Sequence, residues 1–117
     1  MAIWHEEKAN CFIIHVNVDE PAESDLDRIR QVLTVAFLHN HYHIVLDISQ
    51  CKMIDSYFIG LLISTFREIR EFGGKICLAG PSEHVIHALQ IIRLDKVMAI
   101  CPTIDEAIQC LTAKESV

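Results

Sequence analysis

The stretch HIVLDISQCKMIDSYFIGLL, residues 43–62, contains the change of period that decides the fold. Ile44, Val45, Leu46 and Ile48 form a nearly continuous apolar run, as expected of a strand covered on both faces. A loop from Ser49 to Ile54 follows. Asp55 is then a good N-cap, and the pattern predicts a helix from about Ser56 to Phe72, stopped by Gly73-Gly74. A strand that hands over to a helix through a short loop is the unit from which parallel α/β sheets are built.

The same alternation extends in both directions. Towards the C-terminus, Lys75 to Ala79 is another buried strand, and Gly80-Pro81-Ser82 breaks it. A helix with Val85, Ala88, Leu89 and Ile92 inward comes next. Val97 to Ile100 then forms a short strand, Pro102 ends it, and Thr103 caps a last helix bearing Ile104, Ala107, Ile108 and Leu111. Towards the N-terminus, Ala2 to Glu7 and Cys11 to Val18 are strands joined by a short Lys8-Ala9-Asn10 turn, and Phe12, Ile14, Val16 and Val18 share one face. After the Asp19-Glu20-Pro21 loop, Ser24 is the expected N-cap of a helix with Leu26, Ile29, Leu33, Ala36 and Phe37 on one side. The order is β-β-α-β-α-β-α-β-α. It predicts an α/β domain whose mixed, mostly parallel sheet has four to five strands and about four helices, the opening pair antiparallel. The working crevice of such a sheet lies beyond the carboxyl ends of its strands, at Ser49–Gly60, Gly80–Glu83 and Cys101–Asp105.

Composition narrows the function. With 117 residues, the chain is expected to be a single domain over residues 1–117, with a core that needs no metal or disulfide staple. Its hydrophobic fraction of 51% and charged fraction of 22% exclude disorder. A net charge of −6 argues against nucleic acid or an anionic membrane surface as partner. The segment from Met1 to Lys8 lacks the pattern of a signal peptide, and no apolar run is long enough to span a bilayer. Five widely spaced cysteines without a C-x-x-C pair suit a reducing cytoplasm, with Cys77 and Cys101 packed as small hydrophobes.

The richest chemistry lies at the start of the second helix. A helix N-terminus favours an anion, so a hydroxyl there is a good phosphoacceptor position, and Ser56 is the candidate. Tyr57, Phe58 and Ile59 add more apolar surface than one helix face buries, which predicts a docking patch. The plainer alternative is that Asp55 and Ser56 only cap the helix. Gly60, Ser64, Arg67, Glu68 and Glu71 should share its polar face, with Leu62, Phe66 and Ile69 buried; close approach of another backbone would explain Gly60, and a mere weak spot is the alternative. Cys51 beside Lys52 is expected in an exposed loop; one lysine could ease the thiol towards ionisation, but an unremarkable loop thiol is the stronger expectation. His39, His41 and His43 alternate as metal ligands do, but they sit at a helix end without a carboxylate or thiol to complete a site, so no metal is expected. Asp47 and Asp55 lack a third ligand for Mg²⁺. Phosphate-loop, dinucleotide, nucleophile-elbow and zincin motifs are all missing, so neither catalysis nor a cofactor is expected.

Five short motifs in order, Ile44-Val45-Leu46-Asp47-Ile48-Ser49, Ile54-Asp55-Ser56, Gly60-Leu61-Leu62, Gly73-Gly74-Lys75-Ile76 and Ala79-Gly80-Pro81-Ser82, resemble the STAS domain, a family that includes bacterial anti-sigma factor antagonists. Leu94-Asp95-Lys96-Val97 also fits. The resemblance implies a non-enzymatic module that binds an anti-sigma factor with serine kinase activity and is released by phosphorylation at the start of the second helix. It implies a partner-binding loop and helix face made of Cys51, Lys52, Asp55, Ser56, Tyr57, Phe58, Gly60 and Ser64. Tyr57 stands where the family's usual phosphoserine would be and Phe58 replaces the glycine after it, so either Ser56 is the substitute acceptor or the switch is absent. A second implication is a constitutive scaffold or accessory subunit of a transporter complex, docked through Tyr57 and Phe58.

Overall fold

Every expected element is present in the computed structural model, which describes residues 2–113. The elements are β1 (Ile3–Lys8), β2 (Cys11–Val16), α1 (Glu23–Leu38), β3 (His43–Asp47), α2 (Ser56–Glu71), β4 (Lys75–Ala79), α3 (Glu83–Ile91), β5 (Ala99–Cys101) and α4 (Ile104–Thr112). A 3-10 turn, Leu94–Lys96, lies between α3 and β5. The β1–β2 hairpin turns on Ala9 and Asn10, both at positive φ, which matches the right-handed twist of the flanking strands. This pair is antiparallel, with Ile3 opposite Val16 and Lys8 opposite Cys11; every later pairing is parallel.

The five strands lie side by side in chain order. Parallel crossovers of one hand, each adding its strand to the same growing edge, put all the crossover helices on one face. Leu26 and Ile29 of α1, Leu62 and Ile69 of α2 and Leu89 of α3 accordingly share a core with Phe12, Ile14, Ile44, Leu46 and Leu78 of the sheet. The opposite face carries Cys11, Ile13, Val45, Cys77 and Ala79, packed by Ala107, Ile108 and Leu111 of α4. Alternation along the strands supplies both cores, which is why all six residues of β2 are buried.

Several boundaries differ from the sequence expectation. Ser24 is not the cap of α1: the helix starts at Glu23, and the Asp25 carboxylate accepts the Ala22 N–H at 2.8 Å, holding the first turn from inside. Ile92 and Val97 are exposed rather than inward or in a strand. Arg93 adopts a left-handed conformation (φ 60°), and the following 3-10 turn drops Leu94 and Met98 into the core, so β5 begins only at Ala99. In α2, Leu61 and Thr65 are buried while Phe66 is only half-buried. The stop at Gly73-Gly74 is as expected. Gly73 (φ 72°) donates to the Arg70 carbonyl and Gly74 to that of Ile69, the paired bonds of a Schellman end. Gly74 also lies against the Tyr42 carbonyl, where a side chain would collide.

Candidate functional site

The chain leaves β3 at Asp47, a residue held from two sides. Its Oδ1 accepts the backbone N–H and the hydroxyl of Ser49 at 3.0 and 2.7 Å, and its Oδ2 meets His15 Nδ1 at 2.6 Å. The other ring nitrogen of His15 meets Glu6 Oε2 at 2.7 Å, and Trp4 stacks on the ring at 3.9 Å. This network, buried at His15 and Asp47 and half-exposed at Glu6, ties β1, β2 and β3 together. Sequence reasoning missed it, although a histidine inside the otherwise apolar CFIIHV strand, in register with Asp47, was the signal. Glu6, Asp47 and Ser49 also line a crevice of about 470 Å³ that Gly80, Thr103 and Asp105 close from the other side. The Lys8–Asp105 ion pair, 3.6 Å, lies on its lining.

After Ser49 the loop folds back onto the end of β2. The N–H groups of Lys52 and Met53 both donate to the Asp19 carbonyl, and the Lys52 ammonium pairs with the Asp19 carboxylate at 3.5 Å. This anchoring buries Cys51, which is 1% exposed, with its thiol 3.7 Å from the Val16 carbonyl. The expected exposed placement of Cys51 is therefore corrected, and the lesser option of an eased thiol falls with it. Burial, reinforced by the negative charges of Asp47, Asp19 and Asp25, pushes its pKa from 9.0 up to about 12. Lys52 is engaged by Asp19 and does nothing to offset this.

Asp55 caps α2 as expected, its carboxylate accepting the Phe58 N–H at 2.9 Å. The next two residues face outward: Ser56 is exposed and Tyr57 is 75% exposed. Phe58 is the second correction. It is wholly buried, and with Leu61, Leu62, Thr65 and Ile69 it makes the inner stripe of α2 at helical spacing. The docking patch expected from Tyr57 and Phe58 together thus reduces to Tyr57 with the half-exposed Met53. Gly60 also departs from expectation, since nothing lies within 4 Å of the position its Cβ would take. Ser56, Gly60, Ser64 and Arg67 form an exposed row along the helix, and the Ser64 hydroxyl donates to the Leu61 carbonyl at 3.1 Å.

Beside that row runs a furrow between α1 and α2. Its upper part, about 530 Å³, is lined by Glu23, Leu26, Asp27, Arg30, Asp55 and Tyr57; its lower part, about 260 Å³, includes Arg30, Leu61, Ser64 and Glu68. Three carboxylates against one guanidinium, itself 3.5 Å from Asp27, make the upper mouth acidic. The histidines lie elsewhere: His39 Nδ1 donates to the Val35 carbonyl and His41 meets Glu7. Among the described residues no cluster suited to a metal ion occurs, and no helix is long and apolar enough to cross a membrane.

Comparison with known proteins agrees with this architecture. Two proteins provisionally named anti-sigma factor antagonists, from Thermotoga neapolitana and Thermotoga maritima, are each 34% identical over 74 residues. The match covers 62% of this chain and 66% of each relative, just under two thirds of their length. Unphosphorylated SpoIIAA, an anti-sigma factor antagonist known from Bacillus, superposes with a TM-score of 0.81 at 22% identity, over 98% of this chain and all of that one. The fold also recurs within the murine anion transporter Slc26a9, with a TM-score of 0.75 at 17% identity, over 93% of this chain and 19% of that one. The family model of the STAS domain matches residues 6–107, most of the sequence. The chain belongs to the STAS domain family.

Proposed function

We propose that this chain is a regulatory protein-interaction module of the anti-sigma-factor-antagonist type, a single domain over residues 1–117 that works in the cytoplasm without catalysing a reaction. Its partner is an anti-sigma factor of the serine kinase kind. The partner docks on Lys52, Asp55, Ser56, Tyr57, Gly60 and Ser64 and reaches into the α1–α2 furrow. One observation carries the reading: Ser56 and Tyr57 stand exposed on the capped start of α2, and Ser56 lies between Asp55 and Tyr57, which line the mouth of that furrow. The names of the Thermotoga relatives support the partner class.

Ser56 is the switch. A phosphate there gains from the helix N-terminus, yet adds roughly two negative charges to a mouth already lined by Glu23, Asp27 and Asp55. The partner is expelled as a result. Ser56→Asp is expected to weaken partner binding, measured by calorimetry against the cognate kinase. Unchanged affinity, with circular dichroism showing an intact fold, defeats the switch. Phosphopeptide mass spectrometry on protein from its native cells reads the modification itself.

The likeness to part of Slc26a9 favours one other reading, a constitutive subunit of a transport complex docked through Tyr57. Co-purification with a transporter ATPase, and no phosphate on Ser56 in growth or stress, would select it.

A further inference from the structure

Three cysteines gather on the α4 face of the sheet. Cys77 Sγ lies 3.2 Å from Cys101 Sγ across neighbouring parallel strands. Cys77 pairs in register with Ala99 and Ala79 with Cys101, so the two thiols project on the same side. Cys110 belongs to α4, the helix that packs on β4 and β5, the strands that carry Cys77 and Cys101. Burial decreases along the series: Cys77 is buried, Cys101 half-buried and Cys110 exposed. Cys110 also lines a cleft of about 230 Å³ together with Arg70, Lys75 and Val97. Among the described residues neither Arg70 nor Lys75 forms an ion pair with a carboxylate.

This arrangement separates a point of entry from a point of storage. Burial pushes the Cys77 and Cys101 thiols up, so neither readily starts thiol exchange as a thiolate. Cys110 has access to solvent, and the Arg70 and Lys75 cations that share its cleft favour a reagent of negative charge.

We propose that Cys110, Cys101 and Cys77 form a thiol relay that takes oxidising equivalents from a small anionic disulfide and stores them as a Cys77–Cys101 bond. In the first step the Cys110 thiolate attacks one sulfur of the reagent; a mixed disulfide forms and one reagent thiolate leaves. Cys101 then gives its proton to solvent and attacks the Cys110 sulfur, which releases the second reagent thiol. Cys77, already in contact, loses its proton and attacks the Cys101 sulfur, and Cys110 departs as a thiolate that regains a proton. Two protein thiols are oxidised to one disulfide, and one reagent disulfide is reduced to two thiols. The contact at 3.2 Å needs to close by only about 1 Å to reach bonding distance. The site is independent of the proposed docking surface.

The test incubates the full chain with oxidised glutathione at mildly alkaline pH, alkylates the remaining thiols and maps the products by mass spectrometry. The expected product has Cys77 linked to Cys101 and Cys110 alkylated. Cys110→Ser slows its formation about tenfold or more. Cys101→Ala leaves glutathione stalled on Cys110, and Arg70→Gln with Lys75→Gln removes the preference for glutathione over an uncharged disulfide. The near-ultraviolet spectrum and continued protection of Cys51 from alkylation verify that each variant is folded. Glutathione that stays on wild-type Cys110 while Cys77 and Cys101 remain free overturns the relay. So does a wild-type rate of bond formation in Cys110→Ser.

Discussion

Tyr57 and Phe58 are adjacent residues of similar size in opposite environments, one 75% exposed and the other wholly buried. Phe58→Ala is therefore expected to cost about 4 kcal/mol of stability, through lost transfer energy and the cavity left under α2. Tyr57→Ala should change stability by less than about 0.5 kcal/mol while weakening partner binding. Urea titration of both variants checks the stability contrast. The contrast was legible in the spacing of 58, 61, 62, 65 and 69, which marks Phe58 as core; apolar crowding in the first turn pointed the other way. Cys51 was not legible. Its neighbours Gln50 and Lys52 are polar, and it is buried only because the loop is tied to Asp19, a tertiary contact with no local signature. Its thiol gives a pH signature. Below pH 9.0 the folded and unfolded chains both keep the proton. Above it the unfolded chain releases its proton first, so Cys51 costs stability progressively until the folded thiol also ionises at about 12. Stability should therefore fall between these limits, and Cys51→Ala should make the fall shallower when urea midpoints are compared across that range.

At the scale of the element, α2 is capped and terminated by residues whose roles the sequence announced. Asp55 takes the Phe58 N–H, and Gly73-Gly74 closes the last turn. The start of α1 was two residues out because an aspartate inside the first turn does the capping. The shift in β5 has a different cause, since the left-handed Arg93 and the 3-10 turn divert Val97 outward without any glycine to mark the bend. Gly60 remains the weak point of α2. With open space around its Cβ position and no positive φ, Gly60→Ala should raise the midpoint of thermal unfolding, equivalent to up to about 1 kcal/mol. The same variant tests the docking face. A methyl group on the Ser56–Gly60–Ser64 row is expected to reduce partner binding while it stabilises the free protein, and surface plasmon resonance separates the two effects.

Across the whole molecule the sheet divides its cores unequally. Among the described residues three helices cover one face, whereas α4 alone packs on the second core. The element order and the two-sided burial of the central strands were legible in the sequence. The His15–Asp47–Glu6 network was not, because it depends on the pairing register of three strands that are far apart along the chain. Ending the chain before Thr103 is expected to leave Ile13, Val45 and Ala79 facing water and to yield an aggregating species, detectable by dye binding and light scattering. Strand order carries a further consequence for synthesis on the ribosome. Because each strand pairs with the one made just before it, the sheet can grow as the chain emerges, without waiting for a distant segment. The α4 face is the exception: it stays open until α4 itself leaves the exit tunnel. The nascent protein is thus most in need of a chaperone in the interval between the pairing of β5 and the arrival of α4.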